Sequence, residues 1–221
     1  MEGQAPIIPT PKQYEAIEAA ACGDAGSVVS FESGCGGGKT MLCKLLASRF
    51  SYVFKGVGLL LCPDYHVLTD THLRRLAPIY DTLGMVVHSA QWGLHLRSHN
   101  KAAKEPLFMF SHLGQLAGYE TKPIRWVIVD EFSSITAQQW AFISALPQGP
   151  VLLAGSRFLD KDGVCHADEW YPHGVSHLRR VVATTLDNPH LSASDGFRIG
   201  ATFETPCFDV PHPPRLAPVK S

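Results

Sequence analysis

Ser33-Gly34-Cys35-Gly36-Gly37-Gly38-Lys39-Thr40 is the stretch on which the fold turns. Consecutive glycines let backbone N–H groups point inward around an anion. A lysine supplies charge for the β- and γ-phosphates of a nucleotide, and a threonine hydroxyl is a hard ligand for Mg²⁺. The β-prone run Ser27-Val28-Val29-Ser30-Phe31 precedes the loop, and Thr40 to Phe50 follows it with Leu42, Leu45 and Leu46 on one helical face. Strand, glycine loop and helix in that order separate a phosphate cradle from a flexible glycine linker, and the helix aims its positive dipole end at the loop. The expectation is a nucleoside triphosphate site for ATP with Mg²⁺. It is built from Ser33, Gly34, Cys35, Gly36, Gly37, Gly38, Lys39 and Thr40, with Ser33 at the position where glycine is usual.

The companion signal lies further along the chain. Arg125-Trp126-Val127-Ile128-Val129-Asp130-Glu131 is an apolar strand ending in two acids. Acids at the C-terminal end of a buried strand sit where open α/β sheets bind ligands. Asp130 is the expected second Mg²⁺ ligand. Glu131 is the expected group that polarises the water attacking the γ-phosphate. A small-molecule kinase has no need of such an acid and would carry an arginine-rich lid, whereas a GTPase would carry Asn-Lys-x-Asp. Neither is present, so hydrolysis coupled to motion is the reading.

Between and around these motifs the chain alternates strand and helix. Pro11 to Cys22 reads as a helix, with proline suited to its first turn and Gly23 to its exit. Val57 to Cys62 is a continuous apolar run, as in strands buried on both faces. Asp64 to Leu83 reads as a helix bent at Pro78. Met85–His88, Leu107–Ser111, Trp126–Val129, Val151–Ala154 and Leu178–Thr185 read as strands, and Ala137–Leu146 as a helix capped by Thr136. The resulting fold class is an α/β P-loop NTPase with a mostly parallel central sheet and helices on both faces, of the ASCE or RecA-like type. Residues 1–192 form the expected ATPase domain. Residues 193–221, with five prolines from Pro206 to Ser221, form an expected extension or arm.

Composition sets bounds. The chain has 221 residues, 45% hydrophobic, with a formal net charge of -1. A core of one domain is accommodated, and any contact with DNA must be local, because a surface that grips nucleic acid throughout is basic. No run reaches the roughly 18 apolar residues of a membrane span, and the N-terminus lacks a signal-peptide pattern, so the expectation is a cytoplasmic protein with no membrane partner. The six cysteines form no CxxC pair and read as reduced thiols.

Two further single positions and two arginine pairs are candidates. Gln13 lies upstream of the loop, where an amide can read an adenine edge. Ser156, in Gly155-Ser156-Arg157 after a core strand, can sense the γ-phosphate. Arg74-Arg75 and Arg179-Arg180 are candidates for a trans-acting arginine or a DNA contact, with solvated pairs the plainer reading. Histidines 88, 95, 99, 166, 173, 177, 190 and 212 show no catalytic partner in the sequence.

The order of these features resembles the N-terminal ATPase domain of the large terminase subunit of tailed phages. SGCGGGKT is similar to that family's Walker A and Val127-Ile128-Val129-Asp130-Glu131 to its Walker B. Leu59 to Thr71, Phe108 to Gly118, Leu152 to Phe158 and Thr184 to Leu191 (TTLDNPHL) match further segments in order, over roughly residues 10 to 192. The resemblance implies ATP hydrolysis driving DNA translocation and packaging, by a homo-oligomeric ring on a portal protein in the host cytoplasm. Its partners would be double-stranded DNA, the portal, and a separate nuclease or small terminase chain. Glu131, Lys39 and Ser156 would be the catalytic and coupling residues. Cys35 stands where many of these proteins carry an arginine, Gly155-Ser156-Arg157 replaces Gly-Thr-Pro, and the family's nuclease domain is not expected within this sequence. The alternatives are a helicase-type nucleic-acid-dependent ATPase needing a partner chain, and a weakly hydrolysing nucleotide-binding regulator.

Overall fold

A computed structural model of the chain describes residues 8–34, 36–54, 56–74, 108–156, 165–184 and 187–188, together with the backbone of 85–90 and 93–98. Cys35, Arg75, the bend expected at Pro78, Arg157 and the expected extension 193–221 lie outside the described residues.

Eight strands form one sheet: β1 (Val28–Ser33), β2 (Val57–Cys62), β3 (Met85–Ala90), β4 (Gly93–Ser98), β5 (Phe108–His112), β6 (Ile124–Asp130), β7 (Val151–Gly155) and β8 (Leu178–Ala183). Their spatial order is β3-β4-β5-β2-β6-β7-β1-β8. The six strands from β5 to β8 are mutually parallel, and the β3–β4 hairpin joins the β5 edge antiparallel. The expected mostly parallel sheet is therefore present. The hairpin supplies β4, a strand beyond those read from the sequence.

Three α-helices were expected near their observed places: α1 (Pro11–Ala21), α2 (Lys39–Val53) and α3 (Ala137–Ala145). Thr10 and Thr136 cap α1 and α3, each in a reciprocal capping box with the glutamine three residues on. The segment after β2 departs from an ordinary α-helix. Val67–Arg74 winds as a π-helix, with Leu68 and His72 on its buried side.

Strand alternation divides the apolar residues between two cores. Leu60 and Cys62 face α1 and α2 together with Phe31, Leu42, Phe50, Trp126 and Ile128. Leu59 and Leu61 face the opposite layer with Val127, Val129, Trp140, Phe132 and Trp170. That two-sided burial explains why β2 and β6 read as unbroken apolar runs. Trp126, fully buried, lies flat against Gly58 of the neighbouring strand, so that a Cβ at position 58 would fall inside its ring. Phe50 and Phe108 pack against the same indole. Gly58→Ala is expected to cost about 1–3 kcal/mol through overpacking. A melting temperature about 2–4 °C lower per kcal/mol in a chain of this size is the readout.

Candidate active site

Parallel register brings the candidate positions to one end of the sheet, at the C-terminal ends of its central strands. Glu32 of β1 pairs with Gly155 of β7, and Asp130 of β6 with Ala154 of β7. Ser33, Glu131 and Ser156 thus leave their strands side by side, with the glycine loop and the start of α2 above them.

The loop's backbone explains its composition. Gly36 and Gly38 have φ of 78° and 82°, in the left-handed region that disfavours side chains. A Cβ at Gly38 would also approach Gln13 Nε2 at 2.5 Å. Gln13 is buried, and its amide is engaged at both ends. Nε2 donates to the Gly38 carbonyl at 2.9 Å, and Oε1 accepts from Thr10 N–H at 2.8 Å. It braces the loop against α1, a different placement from the open base-reading amide that the sequence suggested.

Lys39 is the first residue of α2 and is nearly buried. Its Nζ donates to the carbonyls of Gly34 at 3.1 Å and Ser33 at 3.3 Å, and lies 3.7 Å from Glu131 Oε1. Thr40 follows, half-buried, in the first turn of the same helix. Glu131 occupies a left-handed conformation, φ 59° and ψ 61°, which turns the chain sharply out of β6. Such backbone geometry in a non-glycine residue is uncommon and clusters at functional sites. Burial pushes the Glu131 carboxyl above its usual range. The Lys39 ammonium opposes that, the Asp130 carboxylate reinforces it, and the Ser156 backbone opposes it through a hydrogen bond.

Asp130 is buried on the α2 side of the sheet. Its Oδ2 lies 2.9 Å from Nε2 of His72, which is also fully buried, and its Oδ1 lies 3.7 Å from the Cys43 thiol of α2. Burial and the adjacent Asp130 charge hold the Cys43 thiol protonated by raising its pKa. Neither neighbour of Asp130 was read from the sequence. His72 sits in the polar segment after β2, a region with no spacing signal that ties it to β6.

A second network underlies the loop from the other face. Glu32, immediately before Ser33, is buried and accepts a two-pronged contact from Arg180 of β8, Nε at 2.8 Å and Nη2 at 2.7 Å. Tyr171 donates its hydroxyl to Glu32, and its oxygen lies 2.8 Å from Ser30 Oγ. The desolvated Tyr171 hydroxyl, beside the Glu32 charge, is held protonated well above its usual range. Arg180 is thus a structural partner of β1, neither a solvated pair with Arg179 nor an arginine available in trans. Beyond β8, Asp187 caps the Thr184 backbone at 2.6 Å, and Asn188 donates to the Gly36 carbonyl at 2.7 Å. The Asp-Asn segment therefore touches the glycine loop.

The cradle fits a phosphate: two left-handed glycines, a helix N-terminus and a lysine converge on it. Thr40 and Asp130 offer the hard oxygen donors that Mg²⁺ takes. Among the described residues, no further cluster of three or more histidine, cysteine or acidic side chains is placed to hold a metal.

Solved structures share this arrangement of elements. The large terminase of a thermophilic bacteriophage matches over 90% of this chain and 51% of its own, with a TM-score of 0.63 and 14% identity. The ATPase domain of the Thermus phage P74-26 large terminase matches over 81% of this chain and 82% of its own, with a TM-score of 0.51 and 14% identity. The fold is that of phage large-terminase ATPase domains. The helicase domain of Pyrococcus furiosus Hef is a more distant likeness, at a TM-score of 0.50 and 13% identity over 79% of this chain and 38% of its own. The chain spans about half the length of the first of these terminases. No protein-family model and no curated protein sequence matches it.

Removing Arg180 would leave the Glu32 carboxylate buried with only hydroxyl partners. Arg180→Ala is expected to lower unfolding stability in urea by up to about 3 kcal/mol, the low end for breaking a buried pair, since Arg180 keeps 22% of its side chain exposed. Arg180→Lys, which cannot make the two-pronged contact, is expected to fall between the two.

Proposed function

We propose that this chain hydrolyses ATP and uses the hydrolysis to move double-stranded DNA, as the motor of a terminase-type packaging machine. The observation that carries the proposal is the meeting, at the C-terminal ends of the central strands, of a glycine cradle, Lys39 and the paired acids Asp130 and Glu131. The loop amides and Lys39 would bind the phosphates. Thr40 and Asp130 would hold Mg²⁺, whose charge, when bound, neutralises the phosphate oxygens. Glu131 would orient a water and accept its proton as the water oxygen attacks the γ-phosphorus. The bond from that phosphorus to the bridging oxygen breaks, and ADP leaves with the electron pair, giving ADP and inorganic phosphate. Ser156, at the end of the strand between β1 and β6, would relay loss of the γ-phosphate.

The bacteriophage terminase that this fold matches was solved with ATP-γ-S and with ADP, which supports a nucleotide in the same cradle here. By extension from that fold, the active assembly would be a ring of copies on a portal, with DNA through its centre and a nuclease or small terminase chain as partner. Near-neutral charge is compatible with this, because each subunit needs only a few cations facing the DNA. No helix among the described residues is long and apolar enough to cross a membrane. The likeness to a helicase domain supports a second reading, a nucleic-acid-dependent ATPase that works with a partner motor domain.

The test pairs two variants with phosphate-release and nucleotide-binding assays, in the presence of DNA and portal. Glu131→Gln is expected to retain nucleotide binding and to lose about 10²–10⁴-fold in turnover. Lys39→Ala is expected to weaken binding by about ten- to a hundredfold through the lost charged contacts. Turnover unchanged in Glu131→Gln would overturn the hydrolytic role. Unwinding of a duplex would select the helicase reading, and tight binding without turnover in the wild type would select a regulator.

A further inference from the structure

His72 takes no part in the chemistry assigned above, yet among the described residues it is the only buried histidine. Its Nδ1 is buried and has no hydrogen-bond partner among the described residues. Burying an imidazole with one ring nitrogen unsatisfied is costly, so the ring's polar role is concentrated in its one contact, Nε2 to Asp130 Oδ2 at 2.9 Å. An ionised carboxylate only accepts, so the imidazole donates. The other oxygen, Oδ1, faces the Cys43 thiol at 3.7 Å. Asp130 is therefore held from two elements, the π-helix after β2 and helix α2, on the sheet face toward α2. A carboxylate has about four lone-pair sites; two are used in this way and the rest remain for a cation or its water.

The element carrying His72 is unusual in the same place. Val67–Arg74 is π-helical, a widened winding found mostly as single turns and often at functional sites. It turns Leu68 and His72 inward. Asp70 and Arg74 stay outside, paired at 3.2 Å and largely exposed. The Phe110 ring of β5 flanks the imidazole, with centroids 6.4 Å apart.

Resting on the nucleotide site proposed above, we infer that His72 is a positioning residue: it fixes the orientation in which Asp130 presents its carboxylate to the Mg²⁺ of the bound nucleotide. Outer partners of metal-ligating carboxylates act in this way, and losing one typically reduces metal affinity about 10–100-fold.

The experiment uses the full chain and a fluorescent ATP analogue, titrated with Mg²⁺ and, separately, in EDTA. His72→Leu fills the site without an N–H, whereas His72→Gln can place an amide N–H near the position of Nε2. In His72→Leu the Mg²⁺ concentration for half-maximal binding is expected to rise about tenfold or more, with binding in EDTA unchanged. His72→Gln is expected to recover most of that loss. Thermal melts of both variants report folding. Half-saturation equal to wild type in folded His72→Leu overturns the inference while leaving the nucleotide site intact. An equal loss of binding with and without Mg²⁺, or no recovery in a folded His72→Gln, also overturns it, because each marks a packing role. If the wild type itself binds the nucleotide without responding to Mg²⁺, the proposed Mg²⁺ site fails and the inference with it.

Discussion

A parallel sheet covered on both faces leaves polar chemistry almost nowhere to go except the ends of its strands. Every site feature described here follows from that constraint. Leu59 to Leu61 and Val127 to Val129 are wholly buried, so the first positions at which β2 and β6 can present function are Cys62 and Asp130. The register from β6 through β7 to β1 then sets Asp130, Ala154, Gly155 and Glu32 in adjacent rows. Shifting any one of these pairings by a residue would turn its acids onto the opposite face of the sheet.

Asp130 and Glu32 lie on opposite faces of the sheet, and each has its own polar partners. Asp130 points toward α2 and meets His72 and Cys43. Glu32 points toward the other layer and meets Arg180 and Tyr171. A buried carboxylate without a partner is strongly disfavoured, so both β8 and the π-helix become part of the scaffold that positions the loop. Asn188, Gln13 and the Lys39 ammonium each hold a loop carbonyl, of Gly36, Gly38 and Gly34 respectively. The glycine cradle is thus fastened from the end of β8, from α1 and from its own helix.

What the sequence makes legible is whatever short range encodes. The glycine loop between strand and helix, the apolar runs of β2 and β6, the two acids at the end of β6, and Thr136 at the start of α3 all announce themselves within a few residues. The β4 strand carries only Leu94 and Leu96 as an alternating signal, too little to register. The contacts of Arg180 with Glu32 and of His72 with Asp130 join positions 148 and 58 residues apart. Nothing local marks them, because a buried polar pair is defined by its partner and not by its neighbours in the chain. Gln13 shows the intermediate case: its place beside the loop was legible, but both ends of its amide are committed to protein backbone.

The Lys39–Glu131 pair gives the site a direction of response. In the structure the ammonium sits between loop carbonyls and the Glu131 carboxylate, and it is the largest influence opposing the burial that raises that carboxyl's pKa. Under the proposed function, phosphates would draw Lys39 toward themselves and bring negative charge of their own. Both changes would favour protonated Glu131, by weakening the Lys39 contact and adding repulsion, while Mg²⁺ held at Thr40 and Asp130 would favour the ionised form. Its left-handed backbone holds the side chain at the mouth of the strand, where, under the same proposal, it would meet the water to be activated. Nucleotide binding and proton acceptance would then be linked through the charges around this one carboxylate: Lys39, Asp130, the phosphates and Mg²⁺.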